Sequence, residues 1–268
     1  MVAMGGFVAA PAAQAARAER MPLALINLDA VPGKANRWIA RRATISLTAA
    51  DGKCPRAWER IAPIVRASAI SDRSPAECRT RLGLDPQAPT LLVTGGSQGA
   101  GSINGLMLAM LRDSSDALRG WQVIHQTGAG ADPALEEAYR DATVPALVRP
   151  FFDSMGLAWR AAELAVSRCG AGAVAEAWAN HTPCLFLPYP YHRDEHQRWN
   201  AQPLADCGGA VIERDHIEPQ ANLAHAGATL CKLLSDQSRV RAMAASLAEL
   251  GPADGAKQAA ERILGLLK

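Results

Sequence analysis

What most constrains this chain is a unit that occurs twice: a short apolar run, a glycine-rich turn, and then a stretch with helical spacing. It appears first as Leu91-Leu92-Val93-Thr94, followed by Gly95-Gly96-Ser97-Gln98-Gly99. Ile103, Leu106, Met107, Met110 and Leu111 then fall on one face of a helix. The unit returns as Leu164-Ala165-Val166-Ser167, the turn Arg168-Cys169-Gly170-Ala171-Gly172, and a helix carrying Val174, Glu176 and Trp178. Residues 121–125, 147–148, 184–188 and 209–212 read as further strands. Asp132-Pro133 reads as the cap and first residue of one helix, and Asp153 as the cap of another running to Arg160. Apolar strands alternating with helices predict an α/β fold with a parallel sheet covered on both faces.

The first 65 or so residues carry less of the same pattern. Gly5-Gly6 precedes an alanine-rich helix, 23–26 and 44–47 read as strands, and 36–42 as a helix. That predicts a thin second sheet whose starting strand lies elsewhere. The polar stretch 71–89, rich in Pro, Asp and Arg around one short helix, separates the halves. The expected division is therefore 1–70, a connector at 71–89, a second domain at 90–252, and a last helix within 253–268.

Composition removes several classes of function. Lys and Arg number 28 against 26 Asp and Glu, so a net charge of +2 gives no general case for a nucleic-acid partner. No apolar run approaches the ~20 residues of a membrane-spanning helix. Six cysteines without a CxxC pair read as reduced thiols rather than a disulfide framework. Residues 1–20 lack the basic start of a signal peptide, and Gly and Pro interrupt their apolar stretch, so they read as part of the fold.

Open parallel sheets bind ligands at the carboxyl ends of their strands, which directs attention to the two glycine turns. Free N–H groups at a helix start favour a phosphate, although either turn could serve packing alone. The first is not GxGxxG, which weakens a dinucleotide reading. Glu176, read as lying in a first turn, could offset the helix dipole or accept the two hydroxyls of a ribose. The loop 189–200 is dense in polar groups, including His192 and His196 four apart. HExxH is absent and no third ligand stands out, so hydrogen bonding to a polyhydroxylated ligand fits better than zinc. Gly95-Gly96-Ser97-Gln98-Gly99 also fits the GxSxG elbow of a serine hydrolase, with Asp153 and His192 as the candidate partners.

Taken in order, these segments resemble the MurG family of N-acetylglucosaminyltransferases. The resemblance rests on GGFVAAPAAQAA, DAVPGKANRWIAR, LLVTGGSQGAGSIN, VIHQTG, RPFFDSM, AVSRCGAGAVAEAWANHTPCLFLPYPY and DEHQRWNAQPL, which span nearly the whole chain. It implies the GT-B architecture: two Rossmann-like domains facing a cleft, here with the N-terminal one incomplete and the last helix packing back on it. No metal or cofactor is implied. The implied partners are UDP-GlcNAc and undecaprenyl-diphosphate-linked MurNAc-pentapeptide, on the inner face of the cytoplasmic membrane. Residue by residue, the resemblance puts Ser97 at the diphosphate and Phe152 at the uracil. Ala171, Gly172, Ala173, Val174, Ala175 and Glu176 fall along the phosphate and ribose, and His196 and Gln197 at the sugar. Arg66 falls at the inter-domain arginine, Asn36 on the acceptor side, and Asp29 where the family has a sugar-side asparagine. The chain is expected to start inside the family's N-terminal domain, past the glycine-rich loop with its histidine, so no general base is assigned.

Overall fold

The computed structural model describes residues 1–50, 52–96, 99–129 and 133–266. Ser97 and Asp132, on which two of the readings above fall, lie outside them. Near the start of the chain, Val2–Ala3 (β1), Ala24–Asn27 (β2), Ile45–Thr48 (β3) and Glu59–Arg60 (β4) pair side by side, all parallel, in that order. β1 lies at the edge of this sheet, beside β2. Two residues are too few for a period to register, which is why β1 and β4 escaped the sequence reading. Ala9–Ala18 (α1) and Lys34–Ala40 (α2) cover one face, where Ala13, Leu23, Leu25, Ile39 and Trp58 pack together.

The second sheet holds Thr90–Thr94 (β5), Gln122–Gln126 (β6), Ala146–Arg149 (β7), Leu164–Ser167 (β8), Cys184–Phe186 (β9) and Ala210–Ile212 (β10). Its order is β10-β9-β8-β5-β6-β7, again all parallel. The chain enters at β5, runs to the β7 edge, then returns to β8 on the other side of β5. This is the doubly wound Rossmann order, and its reversal between β5 and β8 opens a crevice at their carboxyl ends. Alternate residues of β5 serve opposite faces. Leu91 and Val93 join Ile103, Met107 and Leu230, while Leu92 joins Trp159, Ala165 and Phe186. Burial on both faces is why these strands read as unbroken apolar runs.

Helices Pro75–Arg81 (α3), Gly101–Asp113 (α4), Ala134–Asp141 (α5), Met155–Ala161 (α6), Ala171–Asn180 (α7) and His196–Asp206 (α8) follow. After β10 come Pro219–Asn222 (α9), a π-helical turn at Leu223–Gly227, Ala228–Ser235 (α10), Gln237–Ala248 (α11) and Gly255–Gly265 (α12). The 71–89 stretch is more than a tether. Ser74 and Glu77 form a capping box at the start of α3. Cys78 is buried in the layer that holds Trp159, and Arg79 Nε donates to Ala161 O (2.9 Å) and pairs with Glu163.

The last helix lies on the free face of the first sheet, where Ala259 and Ile263 meet Ile26, Leu47 and Ile61. Gln258 accepts a hydrogen bond from Ala62 N (2.9 Å). Gly255 lets the helix start sit against the Ala62 carbonyl, where any Cβ would collide.

Candidate nucleotide-sugar site

A cavity of about 650 Å³ lies at the carboxyl ends of β5 and β8, within the range usual for small-molecule sites. Its floor is made of the two glycine turns. In the first, Gly96 N donates to Thr94 Oγ1 (3.1 Å) and Gln126 Nε2 donates to Gly96 O (3.0 Å). Gly99 has φ +72°, and a Cβ there would come within 2.5 Å of Thr127 O, so only glycine lets this turn lie flat on β6.

The second turn ends in α7, whose cap residue Gly170 offers no side-chain acceptor. Val174 N bonds Gly170 O (3.1 Å), whereas the N–H groups of Ala171, Gly172 and Ala173 have no acceptor among the described residues. Exposed donors at a positive dipole end, with open space around Gly170 and Gly172, form a place for an anion.

Glu176 sits in the second turn of α7, not in the first as its sequence position suggested. Compensation of the first-turn dipole therefore does not account for it. Trp159 Nε1, from a fully buried ring, donates to Glu176 Oε2 (2.7 Å). Arg66 Nη2 stands 3.5 Å from the other oxygen, reaching over from the strand of chain between the two sheets. The carboxylate is thus fixed at one oxygen and available at the other. Phe152 is buried at the same end of the cavity, beside Phe151 and Asp153. Asp153 is not the cap of α6 that the sequence suggested: Ser154 holds that position and makes no side-chain cap bond.

Arg168, which sequence reasoning treated only as part of the turn, organises the cavity wall. Its Nη1 pairs with Asp215 Oδ2 (2.6 Å) and donates to Leu187 O (2.9 Å) and Pro188 O (3.2 Å). Its Nη2 donates to Ser102 Oγ (2.8 Å), which in turn donates to Asp215 Oδ2 (2.7 Å). The ends of β8, β9 and β10 and the start of α4 are thereby locked together. Burial pushes the Asp215 carboxyl up, but bonds from Asn222, Ser102 and Ile217 N, with Arg168 beside it, hold it below the usual carboxylate value.

The remaining wall carries Tyr189, His192 and Gln197, with Gln197 Oε1 accepting from Tyr189 N (2.9 Å). His196 is set back from this wall. Its ring lies against that of His192, tilted by 33° with centroids 4.3 Å apart, and its Nδ1 lies 2.8 Å from Asp194 Oδ1. Asn36 is buried and donates to Asn27 Oδ1 (2.7 Å) beside Gly5, so it braces the first sheet. Asp29 stands at the junction of the two sheets, where its Oδ1 accepts from Asn200 Nδ2 (3.1 Å). Asn200 Oδ1 accepts in turn from Ala30 N (2.7 Å), and its Nδ2 also reaches Cys169 O (3.2 Å). Among the described residues no group of three or more His, Cys, Asp or Glu converges as metal ligands would.

Residues 90–259 match the glycosyltransferase family 28 C-terminal domain. A UDP-N-acetylglucosamine–N-acetylmuramyl-(pentapeptide) pyrophosphoryl-undecaprenol N-acetylglucosamine transferase of Nocardioides sp. is 37% identical over 271 residues, covering 99% of this chain and 72% of that protein. The chain belongs to the MurG family of glycosyltransferases. The transferase of the same description from Mycolicibacterium smegmatis is 36% identical, over 100% of this chain and 70% of its own length. The crystal structure of Acinetobacter baumannii MurG superposes with a TM-score of 0.76 at 25% identity, covering 98% of this chain and 72% of that one. A UDP complex of S. aureus MnaA shares the fold alone, with a TM-score of 0.61 at 12% identity. The two parallel-stranded sheets are those of the GT-B fold, and family membership displaces the serine-hydrolase alternative.

Proposed function

We propose that this chain transfers GlcNAc from UDP-GlcNAc to lipid-linked MurNAc-pentapeptide, turning lipid I into lipid II in peptidoglycan synthesis. The observation that carries the reading is the cavity at the switch point. It places an uncapped helix start, a second glycine turn and the Trp159-fixed Glu176 around one space, in a chain whose relatives bear that activity in their names.

In this reading the C4 hydroxyl of MurNAc attacks C1 of GlcNAc with inversion, and UDP leaves. The donors at Ala171, Gly172 and Ala173, with the turn that includes Ser97, meet the diphosphate. They stabilise the negative charge that grows on it as the glycosidic bond breaks. Val174 and Ala175 continue that helix to Glu176, which accepts the ribose hydroxyls through the oxygen that Trp159 leaves open. The backbone at Phe152 meets the uracil, and Arg66 closes over the nucleotide from the first sheet. The division into 1–70, 71–89, 90–252 and 253–268 accompanies this reading, supported by the separate sheets and by α12 lying on the first of them.

Among the described residues no helix is long and apolar enough to cross a membrane. The proposed place of work is the cytoplasmic face of the membrane, held peripherally. Arg37 and Arg41 are exposed on and just after α2, as are Phe7 (87%) and Val8 (82%) ahead of α1. Arg42 is less free, since its guanidinium stacks on Trp38 at 3.8 Å.

The test is direct. Calorimetry should show UDP-GlcNAc binding that is unchanged by EDTA, and labelled GlcNAc should pass from UDP-GlcNAc to a lipid I analogue. A chain that binds neither UDP nor UDP-GlcNAc would overturn the reading.

A further inference from the structure

Within the transferase reading, inversion at C1 needs a base that takes the proton of the attacking hydroxyl. The leaving diphosphate lies against the glycine turns of the second sheet, so that hydroxyl enters from the side away from them. The carboxylates that line the cavity among the described residues are Asp153 and Glu176. Asp153 stands beside Phe152 at the nucleoside end, and Glu176 is bonded by Trp159 and turned to the ribose. Asp194 is tied to His196, and Asp215 is paired with Arg168. His192 follows β9 on the nucleotide's own sheet, and burial with the neighbouring His196 lowers its imidazole, which makes it a weak base.

Asp29 comes from the other sheet. It follows the carboxyl end of β2 and stands where the two sheets meet. Its main chain is pinned: Asn27 Nδ2 donates to Asp29 O (2.6 Å), and the next residue, Ala30, donates its N–H to Asn200 Oδ1 (2.7 Å). Its Oδ1 accepts from Asn200 Nδ2 (3.1 Å), and the same Nδ2 reaches Cys169 O in the second glycine turn (3.2 Å). One side-chain amide thus separates the carboxylate from the turn proposed to hold the diphosphate. Asp29 Oδ2 makes no hydrogen bond among the described residues and is not shut off from solvent. Its charge also reaches the cavity wall, since Asp29 joins Asp194 in pulling the His192 imidazole upward against burial and His196. Lys53 is at this junction too, but its ammonium lies over the Trp199 ring, 4.3 Å from the centroid.

We infer that Asp29 is the general base of the transfer. Its Oδ2 accepts the proton of the MurNAc C4 hydroxyl as that oxygen bonds to C1 of GlcNAc. The bond from C1 to the diphosphate oxygen breaks at the same time, and its electron pair leaves with UDP. Asn200 holds Oδ1, which keeps Oδ2 free for the hydroxyl and ties the base to the turn that carries the leaving group.

The test separates rate from binding on the full chain. Asp29→Asn keeps an oxygen for Asn200 Nδ2 but cannot take up the proton. Its UDP-GlcNAc affinity by calorimetry should stay within about threefold of wild type, while kcat for transfer to a lipid I analogue falls by about 10²–10⁴-fold. Retained UDP-GlcNAc binding also shows that the variant is folded. Wild-type kcat should decline as the base is protonated in acid, and the residual kcat of Asp29→Asn should lack that decline. Asp29→Glu, which keeps a carboxylate, should recover part of the rate. Turnover by Asp29→Asn within about threefold of wild type, a loss confined to UDP-GlcNAc affinity, or an acid decline that persists in the variant would overturn this inference alone. A wild type that neither binds UDP-GlcNAc nor transfers its sugar would overturn the transferase reading and this inference with it.

Discussion

His125 makes acid the most informative perturbation of this fold. It lies in β6 with no solvent exposure, its Nδ1 2.9 Å from the Tyr139 hydroxyl and its Nε2 3.1 Å from Asn104 Oδ1. Asn104 Nδ2 donates to Thr127 O, which settles the amide so that Oδ1 faces the ring. Nε2 therefore carries the proton, and Nδ1 accepts from Tyr139. A second proton on the ring would strand the buried tyrosine hydrogen and place a charge in an apolar layer. Burial accordingly drops the His125 value from 6.5 to about 3.

The unfolded chain then binds a proton that the native one excludes throughout the window from pH 6.5 down to about 3. Stability is unaffected above that window and is lost as the pH falls through it. At ~1.4 kcal/mol per unit, going from pH 7 to 4.5 should cost about 2.5 kcal/mol from this residue. The carboxylates contribute their own pH dependence, so the assay is a difference. Urea unfolding followed by tryptophan fluorescence compares wild type with His125→Gln at both pH values. The wild type should be the more stable at pH 7 by about 1–3 kcal/mol, and that gap should narrow by about 2.5 kcal/mol at pH 4.5. A gap constant to within about 0.5 kcal/mol would refute the assignment of a buried neutral imidazole. The residue also bears on the site, because Asn104 joins the first turn of α4 to β6 just below the first glycine turn.

Glu176→Ala should weaken UDP binding by about 1–3 kcal/mol, and Trp159→Phe, which frees the carboxylate and also leaves space in the buried layer, by about 1 kcal/mol; calorimetry reads both. Arg168→Met leaves Asp215 buried without its cation and should destabilise the fold by about 3–5 kcal/mol in thermal or urea unfolding. The double change Arg168→Met/Asp215→Leu should recover much of that loss. Sedimentation with anionic vesicles should fall when Arg37 and Arg41 become glutamate, each arginine contributing ~1 kcal/mol near the surface, and should weaken with added salt. Vesicle binding indifferent to both changes would remove that face as the membrane contact.

The second sheet was legible because parallel strands covered on both faces announce themselves. Leu91, Leu92 and Val93 serve two different layers, and all three must be apolar. The glycine turns were legible for a related reason, since Gly99 cannot carry a side chain against Thr127 O. The segment 189–200 read as a polar loop, and its spacing gave no sign of how the two histidines meet. His192 and His196 are four apart, but α8 begins only at His196, behind Glu195 with φ +50°. The left-handed residue breaks the helical register that would have set the two rings along one face, and they meet instead tilted by 33°.

The groups that hold the cavity open were out of reach for a different reason. Periodicity, capping and turn signals act over a few residues, whereas the Asn200–Asp29 bond spans 171 positions and that between Ser102 and Asp215 spans 113. Arg168 could be seen beside a turn, but nothing local indicates that its charge is balanced by an aspartate after β10. The consequence is functional as well as structural. A guanidinium committed to Asp215, Ser102 and two strand-end carbonyls leaves little of its charge for a ligand. The anion is therefore met by the helix starts, and the arginine keeps them in place. Asn200 does the same between the two sheets: Ala30 N on one side and Cys169 O on the other are joined through one amide. Any movement of the first sheet is thus felt at the turn where the diphosphate is proposed to lie.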